Sequence, residues 1–293
     1  AMGSLAGLLK EMGYNVRGSD QNVYPPMSTR LESLGIKIIE GYRPENLEPR
    51  PDKVIVGNVM SRTHSEVQAL LKTDIPYMSL PQAMGEFLIK DRHSVVVSGT
   101  HGKTTTTAMA AWLLELANME PGFLIGGVPL NFPQTFAIGK GNYFVIEGDE
   151  YDTAFFDKVP KFIHYRPRSV ILTSVEFDHA DIYKDLNAVK DAFKMLLKLI
   201  PQDGHLIYNA EDENIKSILK ETKCKNLHGY GVASGDWKLG DIKWGEDSST
   251  FDVLFKGRKT DQVTSPLFGE YNLLNALSVY VLGMNLALDQ YKK

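Results

Sequence analysis

The chain of 293 residues has little cysteine and no long apolar run. Its single cysteine, Cys224, excludes an intrachain disulfide framework and any metal site built on cysteine, and it is typical of a protein of the reducing cytoplasm. No segment reaches the roughly 18 apolar residues of a membrane-spanning helix, and the N-terminus lacks the basic and apolar pattern of a signal peptide. These absences predict a cytoplasmic protein.

An excess of charge of one sign is also absent. Lys and Arg number 32 against 36 Asp and Glu, for a formal net charge of −4 at pH 7. No global basic field is therefore present to hold nucleic acid or an anionic membrane. Hydrophobic residues make up 43% of the chain, enough to bury a core, and the length suggests about two domains.

Predicted helices and strands alternate along the first third of the chain. Helices are expected near residues 5–12 and 27–34, and strands near 15–18, 37–39 and 53–57. Such alternation with short Gly, Pro and Asn connections predicts an α/β, Rossmann-like domain with a parallel sheet, here residues 1–91. The glycine-rich turn at 3–10 has no strand before it, so the first strand of this domain is expected to be missing.

A second domain is expected over residues 92–293. Strands are predicted at 94–97, 143–146, 169–173 and 204–209, an amphipathic helix at 191–200, and a peripheral antiparallel hairpin at 238–255. Polar clusters follow the strands at 143–146 and 169–173. Because open α/β sheets place ligands at the carboxyl ends of their strands, these clusters are candidate ligand sites.

Residues 98–107, SerGlyThrHisGlyLysThrThrThrThr, lie between a predicted strand and a helix predicted over 108–116. In such a loop the backbone N–H groups face an anion, Lys103 supplies positive charge to the outer phosphates, and the Thr104 hydroxyl can hold Mg²⁺. Val97 stands where the usual pattern begins with glycine, so a chance Gly/Thr-rich turn is the alternative. The flanking strand and helix favour a nucleoside triphosphate site.

Four carboxylates crowd into residues 147–152, GluGlyAspGluTyrAsp, directly after a predicted strand. Such crowding is unfavourable without a compensating cation, for which Mg²⁺ is the natural candidate. Glu147, nearest the strand, is the predicted metal ligand. The alternative is a solvated acidic loop.

A second polar cluster follows the next strand and comprises Glu176, Asp178, His179 and Asp181. Its imidazole is a candidate ligand for a second divalent ion or an aid to substrate positioning, although a lone histidine is more often structural. Between the two clusters lie His164, Arg166 and Arg168, which could meet a substrate carboxylate or phosphate or be solvated surface charge.

Two amides lie near the C-terminal end of the chain. Asn272 and Asn275 are three residues apart at the start of a predicted helix, and hence on one face. Paired amides can bracket an adenine edge, whereas an isolated asparagine near a helix start is usually a cap.

The order and spacing of these motifs resemble the Mur ligase family over essentially the whole chain. The motifs are the loop at 99–107, the acidic GluGlyAspGluTyrAspThrAlaPhePhe at 147–156, AspHisAlaAspIleTyr at 178–183 and GlyGluTyrAsnLeuLeuAsnAla at 269–276. Residues 17–28 and HisTyrArgProArg at 164–168 resemble the branch that joins UDP-N-acetylmuramate to the murein tripeptide L-alanyl-γ-D-glutamyl-meso-diaminopimelate in cell-wall recycling. The resemblance implies a P-loop central domain after the Rossmann-like one.

The resemblance also implies a reaction. ATP phosphorylates the carboxylate of UDP-N-acetylmuramate, the amine of the peptide attacks the acyl phosphate, and an amide, ADP and phosphate result. ATP and Mg²⁺ are the implied cofactors, the two substrates are small molecules, and neither nucleic acid nor membrane is an expected partner.

Site residues are carried over from the family by motif. Those implied to bind ATP are Gly99, Thr100, His101, Gly102, Lys103, Thr104 and Thr105, with Asn272 and Asn275 at adenine. Catalytic roles are implied for Lys103, Glu147 and His179, and metal ligation for Thr104, Glu147 and His179. Substrate contacts are implied for Ser19, Asp20, Gly57, Asn58 and Ser61 in the first domain and for Tyr151, Asp152 and Thr153 in the acidic loop.

Two departures from the family pattern bear on these expectations. Tyr271 stands where the family usually has histidine, which affects the adenine site. Mur ligases have a third, C-terminal domain, and this chain ends at Lys293, where that domain should begin. The expectation is therefore a fragment with little or no ligase activity, compatible with weak Mg·ATP binding.

Three alternatives stay open. A UDP-N-acetylmuramate:L-alanine ligase shares the loop and the acidic motif, but it typically has serine in place of Tyr151 and lacks the PhePheAspLys extension at 155–158. A non-ligase P-loop protein, such as a kinase or a nucleotide-gated interaction module, would use Lys103 and Thr104 without binding a UDP-sugar. A catalytically silent scaffold is the third.

Overall fold

The computed structural model describes residues 1–177 and 182–286. Its first elements alternate between helix and strand as predicted: α1 Met2–Glu11, β1 Arg17–Asp20, α2 Met27–Ser33, β2 Lys37–Glu40, β3 Val54–Val56, α3 Ser65–Leu70, β4 Tyr77–Ser79 and α4 Leu80–Met84. Strand β1 pairs in parallel with β2, and β3 pairs in parallel with β4, as two separate two-stranded sheets. The predicted parallel sheet is thus present as two parallel pairs.

A ten-stranded sheet forms the rest of the described fold. Its strands are β5 His93–Ser98, β6 Gly122–Leu124, β7 Phe136–Ala137, β8 Tyr143–Gly148, β9 Ser169–Leu172, β10 His205–Asn209, β11 Asn226–Gly231, β12 Trp237–Trp244, β13 Ser249–Phe255 and β14 Arg258–Ser265. Their order is β14-β13-β12-β11-β10-β9-β5-β8-β6-β7. The remaining helices are α5 Lys103–Leu116, α6 Leu186–Leu199, α7 Glu213–Ile218 and α8 Glu270–Asn285.

The central strand β5 is buried on both faces of the sheet. It lies between β8 and β9 and is parallel to both. Val96 packs into one hydrophobic core, with α1, α4 and α6, whereas Val95 and Val97 pack into a second core with α5 and α8. Because side chains alternate along a strand, the three consecutive valines at its centre are covered by helices on both sides.

The predicted hairpin is confirmed as β12 and β13, which pair antiparallel. It continues the large sheet, because β12 pairs in parallel with β11, and β14 adds a third strand that was not predicted. The helix predicted from residue 191 begins earlier, at Leu186, since the Asp185 carboxylate accepts a hydrogen bond from the Ala188 N–H and caps it. Within the described residues, no helix is long and apolar enough to cross a membrane.

A small third core joins the acidic-loop extension to the N-terminal segment. Phe155 and Phe156 pack against a cluster of buried side chains, Leu47, Val56, Leu70 and Ile75. The Phe156 ring meets the Tyr77 ring edge-on at a centroid distance of 5.0 Å. Phe155 and Phe156 therefore connect the acidic loop to the N-terminal segment.

We expect acid to weaken the fold at the start of β5. His93 Nε2 lies 2.8 Å from Ser169 Oγ, and burial, together with Arg168 and His205, lowers the pKa of His93 from 6.5 to about 4. Between these values the unfolded chain binds a proton that the folded chain does not. As the pH is lowered through this window, the free energy of unfolding therefore decreases, by at most about 1.4 kcal/mol per pH unit for one proton. Above pH 6.5 His93 contributes no such dependence.

Urea unfolding between pH 7.5 and pH 4.5 measures this dependence. The matched variant His93→Gln keeps a polar side chain beside Ser169 but cannot be charged, so its unfolding free energy should fall less steeply. Burial also lowers the pKa of His205 and of His228, which leaves a residual slope in the variant. Equal slopes in the two proteins would contradict the assignment to His93.

Candidate functional site

The predicted phosphate loop connects β5 to α5. Gly99 and Gly102 have φ values of +135° and +80°, a backbone region that residues with a side chain rarely adopt. The helix begins at Lys103, earlier than predicted, with Gly102 as its N-cap and no capping side chain. The free N–H groups of its first turn, which includes Thr105, and the helix dipole make this point suitable for a phosphate.

Thr173 and Ser174, directly after β9, hold the loop in place. The Thr100 N–H donates to the Ser174 carbonyl at 3.0 Å, and the His101 N–H donates to Ser174 Oγ at 3.1 Å. Thr173 Oγ1 donates to the His101 carbonyl at 2.5 Å. Neither Thr173 nor Ser174 was predicted as a site residue, although two hydroxyl residues directly after a strand were a signal for one.

Lys103 lies across the mouth of the loop. Its ammonium donates to the Gly99 carbonyl at 2.7 Å and lies 3.5 Å from Glu150 Oε2 and 4.0 Å from Asp149 Oδ1. The Lys103 side chain is 13% exposed, so little water screens these charges. The lysine is thus at the predicted loop and balanced by acids of the neighbouring strand end.

Thr104 and Glu147 meet beside the loop. Thr104 Oγ1 donates to Glu147 Oε2 at 3.0 Å, and the Gly126 N–H donates to Oε1 at 2.6 Å. Burial raises the pKa of Glu147, and the charge of Asp149 adds to the rise, while the two hydrogen bonds and Lys103 oppose it. A hydroxyl oxygen and a carboxylate are thus brought to one point.

This pair fits the needs of Mg²⁺. The ion takes hard oxygen ligands and is usually held by one or two carboxylates, with water and phosphate oxygens completing the octahedron. A Cβ at Gly126 would lie 2.9 Å from Glu147 Oε1, and one at Gly127 would lie 2.9 Å from Thr104 Cγ2, so glycines leave the space open. Within residues 1–177 and 182–286, no group of three or more His, Cys, Asp and Glu could hold a metal.

Lysines, and not only a metal, offset the crowded carboxylates of the acidic loop. Asp149 pairs with Lys161 and Asp152 with Lys158, while Glu150 lies beside Lys103. For these three acids, neighbouring lysines compensate the negative charge, so the crowding by itself does not require Mg²⁺. Glu147 differs from them, since its oxygens accept hydrogen bonds from Thr104 and Gly126.

The predicted substrate residues of the acidic loop have different surroundings. Tyr151 donates its hydroxyl to Asp149 at 2.9 Å, and burial first, then Asp149, raises its pKa. Thr153 is buried, and its N–H and hydroxyl both donate to the Asp157 carbonyl, which closes the loop. Asp152 is partly exposed beside Lys158.

The start of α8 lies against the phosphate loop, and the adenine roles of its two asparagines stay predictions. Asn275 is buried, and a Cβ at Gly102 would lie 3.0 Å from its Oδ1. Asn272 donates from Nδ2 to the Phe268 carbonyl at 2.7 Å, a local contact at the helix start. Tyr271 is 70% exposed.

The first-domain candidates lie at the end of β1 and after β3: Ser19 and Asp20, expected after a strand at 15–18, are the last two residues of β1. Ser19 Oγ donates to Glu66 Oε1 at 2.8 Å, and Asp20 Oδ1 accepts from the Asn22 N–H at 3.0 Å. The turn at 57–61 has a buried Gly57 and an exposed Asn58, and Ser61 donates its N–H to a ring nitrogen of His64. Glu66, which also accepts from Asn46 at 2.7 Å, was not predicted.

The second polar cluster is described only in part. Glu176 Oε2 lies 3.6 Å from His101 Nε2 at the exposed end of the phosphate loop. Asp178, His179 and Asp181 lie outside the described residues, so the catalytic and metal roles of His179 stay predictions. Of the basic residues between the clusters, Arg168 forms an exposed ion pair with Asp203. This matches the alternative that Arg168 is solvated surface charge.

Two family models together match almost all of the chain. The family described as "Mur ligase middle domain" matches residues 97–283, and "Mur ligase family, catalytic domain" matches residues 1–92. The UDP-N-acetylmuramate–L-alanyl-gamma-D-glutamyl-meso-2,6-diaminoheptandioate ligase of Escherichia coli (strain K12) is 47% identical over 94% of this chain. The UDP-N-acetylmuramate–L-alanine ligase of Dictyoglomus turgidum is 33% identical over 98% of the chain. The chain spans 60% of the length of each relative.

Solved structures agree with the sequence relatives. The crystal structure of the UDP-N-acetylmuramate:L-alanyl-gamma-D-glutamyl-meso-diaminopimelate ligase from Neisseria meningitides superposes with a TM-score of 0.91 at 40% identity, covering 97% of this chain and 90% of that one. A UDP-N-acetylmuramate-alanine ligase from Thermotoga maritima gives a TM-score of 0.81 at 25% identity, covering 98% and 63%. The chain belongs to the Mur ligase family.

Proposed function

We propose that this chain carries the nucleotide centre and the UDP-sugar segment of an ATP-dependent ligase. The reaction joins UDP-N-acetylmuramate to L-alanyl-γ-D-glutamyl-meso-diaminopimelate. The observation that carries the proposal is the meeting of three elements at one point: Lys103, the N-terminus of α5 and the Thr104–Glu147 pair. Greater identity to the tripeptide ligase than to the alanine ligase supports the tripeptide as the amine. A cytoplasmic location belongs to the same proposal.

Amide formation from a carboxylate requires a leaving group. In the proposed reaction, the substrate carboxylate takes the γ-phosphoryl group of ATP and releases ADP. The peptide amine then attacks the acyl carbon, and phosphate leaves. The chain's task is to align the reactants and to neutralise charge on the transferred phosphoryl group.

The loop residues divide this task. The N–H groups of the first turn of α5, through Thr105, would face the phosphate oxygens. Thr100 and His101, whose N–H groups donate to Ser174, would keep the loop in shape. Lys103 would turn from the Gly99 carbonyl to the outer phosphates. Thr104 and Glu147 would hold Mg²⁺, which supplies further positive charge to the phosphates when bound. Asn275, packed against Gly102, would lie on the nucleotide side of the loop with Asn272.

The UDP-sugar would lie along the N-terminal segment. Ser19 and Asp20 are the last residues of β1, and the turn at 57–61 follows β3. The packing of Phe155 against this segment, with the Arg62 guanidinium 5.4 Å from its ring centroid, brings the acidic loop beside the turn. Asp152, which is partly exposed, and Tyr151 would then face the substrate, whereas the buried Thr153 would act by closing the loop that carries them.

Replacement of Lys103 tests the nucleotide site. In Lys103→Met, we expect Mg·ATP binding by calorimetry to weaken by roughly a hundredfold, since a partly buried charge-assisted contact to phosphate is lost. The control is Lys194→Met, which removes an exposed ion pair with Asp191 on α6 and should bind as the unaltered chain does. Equal Mg·ATP binding by both variants would show that the loop does not bind the nucleotide.

The amine is identified by ADP release. The assay combines Mg·ATP, UDP-N-acetylmuramate and either the tripeptide or L-alanine, with this chain and with a version extended to the length of the Escherichia coli relative. Release that depends on the tripeptide supports the proposal. Release with L-alanine alone would assign the protein to the alanine-ligase branch, and the absence of release by the extended version with either amine would overturn the ligase assignment.

A further inference from the structure

We infer that Lys161 is a positioning residue that keeps Lys103 available to phosphate by holding Asp149. The inference rests on the proposed function of the phosphate loop. Lys161 is no part of that loop: it begins the short 3₁₀ turn Lys161–His164, after β8 and the acidic loop. It acts on nucleotide only through a neighbouring carboxylate.

Lys161 and Tyr151 occupy one oxygen of the Asp149 carboxylate. Lys161 Nζ lies 2.6 Å from Asp149 Oδ2, and the Tyr151 hydroxyl donates to the same oxygen at 2.9 Å. The side chains of Lys161 and Asp149 are each 16% exposed. The Lys161 ammonium also lies 4.2 Å from the Tyr151 ring centroid. Oδ2 of this carboxylate is therefore engaged by two donors.

The other oxygen of Asp149 faces Lys103. Asp149 Oδ1 lies 4.0 Å from Lys103 Nζ, farther than the 3.5 Å between Lys103 and Glu150. Without the Lys161 ammonium, Asp149 would be a largely buried anion with the Lys103 ammonium 4.0 Å from its Oδ1. Charges in a poorly solvated site attract strongly, so Lys103 would close on Asp149 and compete with a phosphate for its own position.

The backbone around Lys161 is fixed, as a positioning residue requires. The Lys161 N–H donates to the Asp149 carbonyl at 3.1 Å, which ties the turn to the acidic loop. The next residue, Phe162, is fully buried in the core, and its Cβ would lie 3.3 Å from a Cβ at Gly148. The ammonium is thus presented to Asp149 from a rigid element.

Nucleotide binding by three variants measures the effect. In Lys161→Met, the dissociation constant for Mg·ATP should rise about tenfold, because Lys103 must first leave Asp149. Lys161→Arg keeps the charge and should bind within about threefold of the unaltered chain. The double variant Lys161→Met, Asp149→Asn should also return to within about threefold, since the competing anion is gone.

The control is Lys158→Met, which removes an exposed lysine from the same loop and should leave Mg·ATP binding unchanged. Thermal unfolding of every variant separates misfolding from repositioning. A defect in Lys161→Met that Asp149→Asn does not relieve would assign Lys161 a merely structural role and overturn the inference. Binding by Lys161→Met equal to that of the unaltered chain would overturn it as well.

A structural measurement separates this inference from the proposed function. Crystal structures of the unaltered chain and of Lys161→Met, both without nucleotide, should show the Lys103 Nζ to Asp149 Oδ1 distance shortening from 4.0 Å to that of an ion pair, about 2.8 Å. An unchanged distance overturns the inference, whatever the nucleotide affinity. Failure of the unaltered chain to bind Mg·ATP overturns the proposed function alone.

Discussion

Replacing Gly99 with alanine is expected to abolish Mg·ATP binding and to lower the free energy of unfolding by about 3 kcal/mol or more. A Cβ at this position would lie 2.2 Å from Thr173 Oγ1 and 2.9 Å from the Ser174 backbone nitrogen. Because the same two residues hold Thr100 and His101 by hydrogen bonds, the clash would displace the loop itself. Calorimetric titration with Mg·ATP and urea unfolding measure the two effects.

The matched control is Gly13→Ala. Gly13 also has a positive φ, +91°, but a Cβ there would meet no atom within 4 Å. Its substitution should cost about 1 kcal/mol of backbone strain and leave nucleotide binding intact. If Gly99→Ala costs no more than Gly13→Ala, backbone strain alone explains the effect, and the close approach of β9 to the loop is not essential.

The strand, loop and helix of the proposed nucleotide site could be predicted because their signals are local. Val95, Val96 and Val97 form the apolar centre of the strand, and Gly99 and Gly102 mark the positive-φ positions of the loop. The start of α5 was predicted too late, since four consecutive threonines have low helix propensity. In the structure, Thr107 Oγ1 donates back to the Lys103 carbonyl at 2.8 Å, a contact that satisfies the hydroxyl within the helix.

Contacts between distant segments could not be predicted. Thr173 and Ser174 lie beside the loop only because β9 pairs with β5 in the register that sets Leu172 opposite Ser98. Lys161 likewise meets Asp149 through a turn whose path the sequence does not specify. Charge crowding at 147–152 was visible in the sequence, but the identity of the compensating cations depends on tertiary structure.

The N-terminal segment shows a second limit. Strand β4, Tyr77–Ser79, has only three residues and no periodicity that distinguishes it from a loop. Phe155 and Phe156 appeared in the sequence as an extension of the acidic motif, whereas they fill the small core against β3 and α3. A short strand and a distant pair of aromatic side chains become recognisable only when they are packed together.

Asp157→Ala is expected to lower the free energy of unfolding by about 3 kcal/mol, the second large effect. Asp157 Oδ2 accepts a hydrogen bond from Ser79 Oγ at 2.7 Å and lies 2.8 Å from His164 Nε2. Ser79 is fully buried and Asp157 is 8% exposed. Because Ser79 ends β4 and also caps α4, one carboxylate joins the N-terminal segment to the turn that follows the acidic loop.

Urea unfolding measures the loss, with Asp74→Ala as the control. Asp74 pairs with Arg50 but its side chain is 88% exposed, so its removal should change the unfolding free energy by less than about 0.5 kcal/mol. If Asp157→Ala also lost less than about 0.5 kcal/mol, Ser79 and His164 would have found other partners or water.

A double-mutant cycle separates the His164 contact from the Ser79 contact. If the ring and the carboxylate stabilise each other, Asp157→Ala and His164→Ala together should cost less than the sum of the single changes, by about 1–3 kcal/mol. Additive costs would leave Ser79 as the effective partner. The carboxylate would then act through the cap of α4, and its effect would reach the N-terminal segment through β4 rather than through the turn that begins at Lys161.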